Sequence, residues 1–496
     1  MTNRNSIIRR SRFKRPQDEA AAEFLSSMSQ DRKILDADIW IDKAHVLMLN
    51  SQKIISNEHA RAILSALDAI ASSNRDELLR RKSDDVHLLL ETELIRRLGE
   101  DVGGRLHTAR SRNDEVASCI RIVLRDELML ILERICQLQN TLLELASEHT
   151  QTLMPGYTHL QRAQPTTLAH HLMAHAYALG RDADRLMGCY DRTNVSPLGA
   201  GAMASTSFPI DPRLTASLLG FGSLARNSID AVASRDFLLE ALSCLSILGA
   251  NLSRMAEEIV LWSTSEFGFI QLADEYSSTS SIMPQKRNPD VAELVRARIS
   301  SVMGSLFSGL AICKALPLSY NMDFQEATAH LWRATETMGS ILAVLRGAVS
   351  TMRVQKEPMR RAATSGLPWA TDLADLIVTE QGLPFRTAHS IMAAVARDWS
   401  GEKDPARIAL DIARASKEVL GREVVLSHNK VRQALDVQSN LARKRACGGP
   451  APAEVRKSIR RMKASLGRTL TWLSGEQQKI AQASEQIATL QAALSS

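Results

Sequence analysis

Residues 280–289 read Ser-Ser-Ile-Met-Pro-Gln-Lys-Arg-Asn-Pro, just ahead of a long apolar-periodic run. Two hydroxyls, a lysine and an asparagine amide are held on one short loop braced by two prolines. A reaction that removes a proton beside a carboxylate needs this set: a base, a cation and a hydrogen-bond donor. Ser280 becomes a base only when its alkoxide is stabilised, which Lys286 and the loop's backbone N–H groups can do. Asn288 can donate to a carboxylate oxygen that gains charge as the neighbouring carbon loses its proton. A Pro-braced turn with capping serines would account for some of these residues, but not for the set.

A second constellation lies at residues 154–165, Met-Pro-Gly-Tyr-Thr-His-Leu-Gln-Arg-Ala-Gln-Pro. Thr158, His159 and Gln161 are packed between two prolines, and His159 is the side chain that changes charge near neutral pH. Glu293, three residues after Asp290, is the carboxylate expected to orient it. Residues 107–114, His-Thr-Ala-Arg-Ser-Arg-Asn-Asp, put two arginines with Ser111 and Asn113 at the mouth of a helix. Forked guanidinium donors and free helix N–H groups make a carboxylate cradle, with Arg112 and Asn113 as its predicted contacts; a solvated helix start capped by Asp114 is the plainer alternative. His87 is a further candidate, because Glu91 follows it by four residues on the same helical face; a second acid–base pair and a helix-stabilising ion pair both fit. Tyr320 and Gln325 sit in a polar stretch, 320–326, read as a connector whose side chains can reach a polar substrate tail. The run Ser196-Pro-Leu-Gly-Ala-Gly201 lacks the spacing and the preceding strand of a nucleotide site and reads as a tight turn.

The elements that must position these loops are helices. No Gly or Pro occurs between Gly104 and Pro155, and Val116, Ile120, Val123, Leu124, Leu128, Ile131, Ile135, Leu138, Leu142 and Leu145 recur at steps of three and four. That predicts an amphipathic helix roughly 50 Å long. Residues 230–265, 290–315 and 331–354 repeat the pattern, while alternating runs are nearly absent. The fold class is therefore all-α, a long-helix bundle with the motifs on the loops between helices. Composition and punctuation divide the chain into an N-terminal helical domain with a basic arm (1–112), a central long-helix bundle (113–360), and a C-terminal helical domain and polar tail (361–496). The residues after Gly448-Gly-Pro read as one or two exposed polar helices.

The chain has 496 residues, 45% hydrophobic and only 4% aromatic, which suits packed helices of small aliphatics. Its net charge of +6 comes from 61 bases interspersed with 55 acids, the pattern of an enzyme that handles anions rather than of a nucleic-acid binder. The exception is Arg4, Arg9, Arg10, Arg12, Lys14 and Arg15, a basic arm without the apolar core of a signal peptide. RNA binding through that arm would be steeply salt-dependent. Six scattered cysteines form no C-x-x-C pair, which points to neither zinc nor a disulfide framework but to reduced thiols in the cytoplasm. No run of about 18 apolar residues appears, so no membrane span is expected. No metal or nucleotide motif is present, and no cofactor is expected.

With these residues in hand, the chain resembles the fumarase/aspartase superfamily and, within it, the argininosuccinate lyases. Ser280 to Pro289 match the signature Gly-Ser-Ser-x-Met-Pro-x-Lys-x-Asn-Pro. Residues 107–114, 155–165 and 196–202 match His-Thr-Gly-Arg-Ser-Arg-Asn-Asp, Pro-Gly-Tyr-Thr-His-Leu-Gln-Arg-Ala-Gln-Pro and Ser-Pro-Leu-Gly-x-Gly-Ala. Arg12-Phe13 and Ser27 to Asp31 match weaker amino-terminal patterns, and the similarity runs from about residue 12 to about 460. The resemblance implies elimination of fumarate from N-(L-arginino)succinate, releasing arginine for its biosynthesis. Ser280 would take the Cβ proton, with Lys286 and Asn288 stabilising the enediolate. His159 with Glu293 would serve the leaving nitrogen. Ser111, Asn113 and Thr158 would bind the succinyl carboxylates, and Ser27, Tyr320 and Gln325 the amino-acid portion. It also implies a homotetramer whose active sites are shared between chains, acting on a small dicarboxylate. Three positions depart from the pattern: Thr279 and Ala109 replace glycines, and Thr328 stands where many relatives carry a lysine that helps bind the arginine carboxylate. Thr279 and Thr328 motivate a second reading, a paralogous C–N lyase for another N-substituted aspartate. A non-catalytic structural relative is a third, against which the retained Ser280, Lys286, Asn288 and His159 argue.

Overall fold

A buried stripe recurring every three or four residues turns residue 112 onward into a helix of 37 residues, Arg112–Glu148, with Ile120, Leu124, Leu128, Ile131, Ile135, Leu138 and Leu142 all buried. Its start is set by a capping box: Ser111 accepts from the chain ahead while Asp114 reaches back to the Ser111 N–H. The molecule, a computed structural model, describes residues 15, 17–399, 401 and 403–495. The basic stretch 1–14 and the Arg12-Phe13 match lie outside them.

Eight helices matter for the site. They are α1 (Leu35–Ser51), α2 (Val86–Leu98), α3 (Arg112–Glu148), α4 (Leu168–Thr193), α5 (Asp236–Ser263), α6 (Asp290–Cys313), α7 (Phe324–Thr351) and α8 (Pro452–Ser495). Helices α3 to α7 pack side by side as the predicted all-α bundle. Helix α7 begins at Phe324, seven residues before the predicted 331. Its polar first turns hide a buried stripe of Phe324, Ala327, Thr328 and Leu331, so Gln325 is helical and not part of a connector.

The carboxy-terminal tail also departs from expectation. It is one helix of 44 residues, and it docks. Val455, Ile459, Met462, Leu466 and Leu473 are buried against α3 and α4. Trp472 meets Tyr190 edge-on at 5.0 Å. The strip is narrow, so arginines, lysines and glutamines on the other faces mask it in the sequence. A separate core lies just before it, where Leu373, Ile377, Ile391, Ile408, Ile412 and Val431 are enclosed by short helices.

Among the described residues one helix, α5, is long and apolar enough to cross a membrane by length and composition. Over half of its most apolar window is buried inside the chain, packed against α4, α6 and α7.

Among the described residues four two-stranded ribbons interrupt the helices, and two of them matter for the site. Strands β1 (Leu153–Thr158) and β2 (Gln161–Thr167) form an antiparallel hairpin, and the two-residue strands β3 (Ser278–Thr279) and β4 (Arg287–Asn288) close the loop between them. Apolar side chains also remain outside the core: Leu294, Met303, Phe307 and Leu310 of α6 are all exposed, Phe307 by 75%.

Candidate functional site

A cavity of about 70 Å³ opens beside the first turn of α3. Six of the sequence-selected residues line it: Ser27, His87, Arg112, Asn113, Tyr320 and Gln325. The groups are held by their own partners. Ser27 donates its hydroxyl to Asp31 at 2.6 Å, and Asp31 accepts the Val86 N–H at 3.2 Å. Arg112 donates to Asp85 at 2.8 Å, and Asp85 in turn caps α2 by accepting from Leu88. The Asn113 amide donates to the Ala202 carbonyl at 3.0 Å. Ser111 does not line the cavity; its hydroxyl accepts from the Asn113 N–H at 3.3 Å and so fixes the helix start that aims Arg112 and Asn113.

The glycine-rich turn belongs to the same framework. The buried Asp114 carboxylate accepts from Gly199 at 3.1 Å and Gly201 at 2.8 Å, besides the Ser111 N–H. Burial, only partly offset by those N–H donors, pushes Asp114 up to about 6. The turn is thus an anchor for the motif at 107–114 and not a nucleotide cradle.

Two expectations need correction. Arg110 does not join the carboxylate cradle. Its side chain is 4% exposed and pairs with Asp42 at 2.6 Å and Glu115 at 2.9 Å, behind the cavity wall. Nor does His87 pair with Glu91. His87 turns inward from the first turn of α2, and its Nδ1 lies 2.9 Å from Asp38 and 3.7 Å from Glu115. Glu91 instead faces His107 at 3.9 Å. Spacing of four puts two residues on one helical face, but the fully buried carboxylates on α1 and α3 outcompete a less buried one. Burial alone would lower His87; Asp38 and Glu115 outweigh it and hold the imidazole protonated well above its ordinary range.

Sequence reasoning missed Asp31, Asp85 and Arg235 as lining residues. Arg235 is buried, stacks 4.3 Å over the Phe324 ring, and donates to the Val232 and Ser234 carbonyls, while its Nε and one terminal nitrogen have no hydrogen-bond partner. Burial pulls its guanidinium down to about 10. Its signal was an arginine alone at the start of an apolar helix, which also reads as a simple helix boundary. Thr328 lines the cavity too, its hydroxyl turned back onto the Phe324 carbonyl at 2.9 Å.

The remaining candidates sit elsewhere in the chain. Thr158, His159, Gln161, Ser280, Lys286 and Asn288 do not line the cavity. His159 and Leu160 form the two-residue turn between β1 and β2, with φ of 57° and 56°. Paired positive φ is what a tight hairpin with right-twisted strands demands. Thr158, His159 and Gln161 are exposed at that tip. On the second loop the Ser280 hydroxyl accepts from the Ile282 and Met283 N–H groups, at 3.3 and 3.0 Å. Such donors stabilise an alkoxide. Asn288 Nδ2 lies 3.4 Å from the Ser278 hydroxyl, which is itself bonded to Asp290. Glu293 is exposed on the first turn of α6, and among the described residues no ion pair joins it to His159. Both loops end in exposed apolar side chains, Leu160 at 71% and Ile282 at 87%. They share a root: Tyr157 of β1 packs on Phe267, at 5.7 Å, in the segment that leads from α5 towards Ser280.

The chain therefore carries a recessed polar cavity and two projecting tips. Comparison with known proteins gives the family. A family model described as lyase matches residues 11–304, and one described as argininosuccinate lyase C-terminal matches residues 368–442. The argininosuccinate lyase of Methanosarcina mazei is 50% identical over 465 residues, covering 93% of this chain and 94% of its own. That of Methanocaldococcus jannaschii is 45% identical over 477 residues, covering 96% and 97%. Among solved structures, an EDDS lyase in complex with formate superposes with a TM-score of 0.85 at 32% identity, covering 96% of this chain and 94% of its own. A class II fumarase from Schistosoma mansoni shares the fold, with a TM-score of 0.68 at 16% identity over 82% of this chain and 90% of its own.

Proposed function

Since the chain belongs to the argininosuccinate lyase family of the fumarase/aspartase superfamily, we propose that it eliminates fumarate from N-(L-arginino)succinate and releases L-arginine. It is a carbon–nitrogen lyase. Ser280 removes the Cβ proton, and the electron pair moves into the adjacent carboxylate as an enediolate. Lys286 and Asn288 stabilise that charge. The C–N bond then breaks as the nitrogen takes a proton delivered by His159, directly or through water, with Glu293 orienting the imidazole. Ser111, Arg112, Asn113, Thr158 and Gln161 hold the succinyl carboxylates, and Ser27, Tyr320 and Gln325 hold the arginine portion. Atoms and electrons balance with a base, an acid and fixed charge alone.

The observation that carries this reading is that Ser27, Arg112, Asn113, Tyr320 and Gln325 line the cavity while His159 and Ser280 stand on the tips, His159 beside Thr158 and Gln161. A recess in one chain and projecting tips from its neighbours make one enclosed centre. The exposed apolar face of α6, Leu294, Met303, Phe307 and Leu310, supplies a surface for such an assembly, and a homotetramer is the assembly we propose. A cytoplasmic location and a division of the chain near residues 112 and 360 complete the proposal.

Thr328 supports a second reading, another N-substituted aspartate as substrate, in keeping with the similarity to EDDS lyase. Purified protein incubated with argininosuccinate should release fumarate and arginine in equal amounts. No fumarate from argininosuccinate, with fumarate from another N-substituted aspartate, would transfer the assignment to the second reading.

A further inference from the structure

One donor set outside the proposed catalytic groups remains unexplained. Helix α4 presents His171 and His175 one turn apart, and α5 presents Glu258 opposite them. Both imidazole Nε2 atoms lie 2.7 Å from the same Glu258 oxygen, and the three donor atoms all lie within 4.8 Å of one another. The side chains are 25%, 15% and 33% exposed, so the set is braced by protein on one side and open on the other. Trp262 packs edge-on against His171 at 4.8 Å. Among the described residues no lysine or arginine pairs with Glu258; the neighbouring Glu257 takes Arg296. Burial raises the Glu258 carboxyl, yet the two histidines outweigh it and keep it ionised.

We propose that His171, His175 and Glu258 bind one divalent transition cation per chain, Zn²⁺ or its spectroscopic substitute Co²⁺. Two imidazoles at i and i+4 on one helix, plus a carboxylate from a facing helix, form a three-point donor set that zinc accepts with water in the fourth position. Zinc–ligand distances of about 2.0–2.2 Å place tetrahedral donors about 3.3 Å apart. The two 2.7 Å contacts to Glu258 lengthen to that as the ion enters between the donors, which already lie within 4.8 Å of one another. In the described contacts each Nε2–H donates to Glu258; to take the ion each Nε2 gives up that proton, and the imidazole binds as its Nδ1–H tautomer. The other convergent acid clusters are a poorer fit. Asp38, Asp42, Glu115, His87 and Cys119 approach one another as closely, but the Arg110 guanidinium already lies 2.6 Å from Asp42 and 2.9 Å from Glu115, and a buried cation leaves no vacancy for a second. The bound ion ties α4 to α5 at the end of the bundle from which the His159 hairpin and the Ser280 loop both grow. It contributes rigidity there, not a chemical step.

The test uses full-length protein without a histidine tag, stripped by chelator and dialysed. Titration with Zn²⁺ by calorimetry and with Co²⁺ by visible absorption should give one ion per chain, with the intense d–d bands of a tetrahedral N/O site. His175→Gln and Glu258→Gln, checked for native circular dichroism, should each weaken binding at least about 100-fold. Fumarate release by the metal-free wild type should persist, with a lower midpoint of thermal unfolding. No stoichiometric binding by the wild type at micromolar free metal overturns the proposal, as does undiminished binding in folded His175→Gln or Glu258→Gln. Should both variants fail to fold, the wild-type Co²⁺ spectrum decides alone: absent bands, or bands of six oxygen ligands, overturn it.

Discussion

Arg110 and Arg112 are two residues apart in one motif, and the structure gives them opposite duties. Replacing Arg110 by methionine removes the cation that sits 2.6 Å from Asp42 and 2.9 Å from Glu115 in a fully buried cluster. In the wild type, burial raises Asp42 well above the carboxylate range even beside Arg110, whereas Glu115, opposed by burial but facing Arg110 and His87, is held low. Taking one partner from a buried pair costs about 3–5 kcal/mol, because the other charge stays buried and unmatched. The pH dependence has a definite sign. Without Arg110, the Glu115 and Asp42 carboxyls are raised above their unfolded values, so the folded variant binds protons more tightly and gains stability as pH falls. The deficit against wild type is therefore largest near about pH 8 and shrinks towards about pH 5. Urea unfolding at both pH values measures it. Arg112→Met is the paired control: Arg112 lines the cavity, and the largely buried Asp85 that loses it still accepts from the Leu88 N–H. Its stability should fall by about 1–3 kcal/mol, less than that of Arg110→Met, while KM rises about 10–100-fold, the loss of one charge-assisted contact to a carboxylate. An Arg110→Met protein as stable as wild type, or with a deficit that grows as pH falls, would refute the electrostatic account of this cluster.

Ser280→Ala should fold and assemble normally while fumarate production falls about 10²–10⁴-fold, measured by fumarate absorbance; turnover near wild type removes Ser280 as the base. Phe307→Glu places a charge on the exposed apolar face of α6 and should yield smaller species by light scattering together with loss of activity. Activity retained by isolated chains would show the site complete within one. A Cβ at Gly347 would sit 1.9 Å from the Tyr276 hydroxyl, at the root of the Ser280 loop. Gly347→Ala should therefore lower kcat with little change in helical circular dichroism, and an unchanged kcat would mean that Tyr276 does not support the loop.

Most of the scaffold was readable because apolar spacing in α3, α5 and α6 is dense and uninterrupted. Helix α4 escaped notice: its face is built from Ala169, Ala176 and Ala183 as much as from leucines, and Gly180 lies mid-helix because its side is pressed against Gln139. The buried strip of α8 is one residue wide per turn, too thin to stand out from its charged surround. For the candidate site, the loop motifs were visible as clusters of unusual residue types. The interior partners were not, since Asp38, Asp42 and Glu115 come from two helices far apart in sequence, and nothing local marks an arginine as facing inward. His87 shows the same limit: its i+4 neighbour was legible, but the carboxylate it chose belongs to another helix.

The hairpin that ends in His159 carries a bulge in which the single Gly156 of β1 faces two residues of β2, Ala163 and Gln164, and any β-carbon at Gly156 would fall 2.6 Å from the Gln164 carbonyl. Side chains on such a ribbon alternate sides residue by residue. Excising that single glycine would send the imidazole to the reverse side of the ribbon without touching the imidazole itself. Here parity along a short ladder, as much as any contact, decides which way a proton carrier looks.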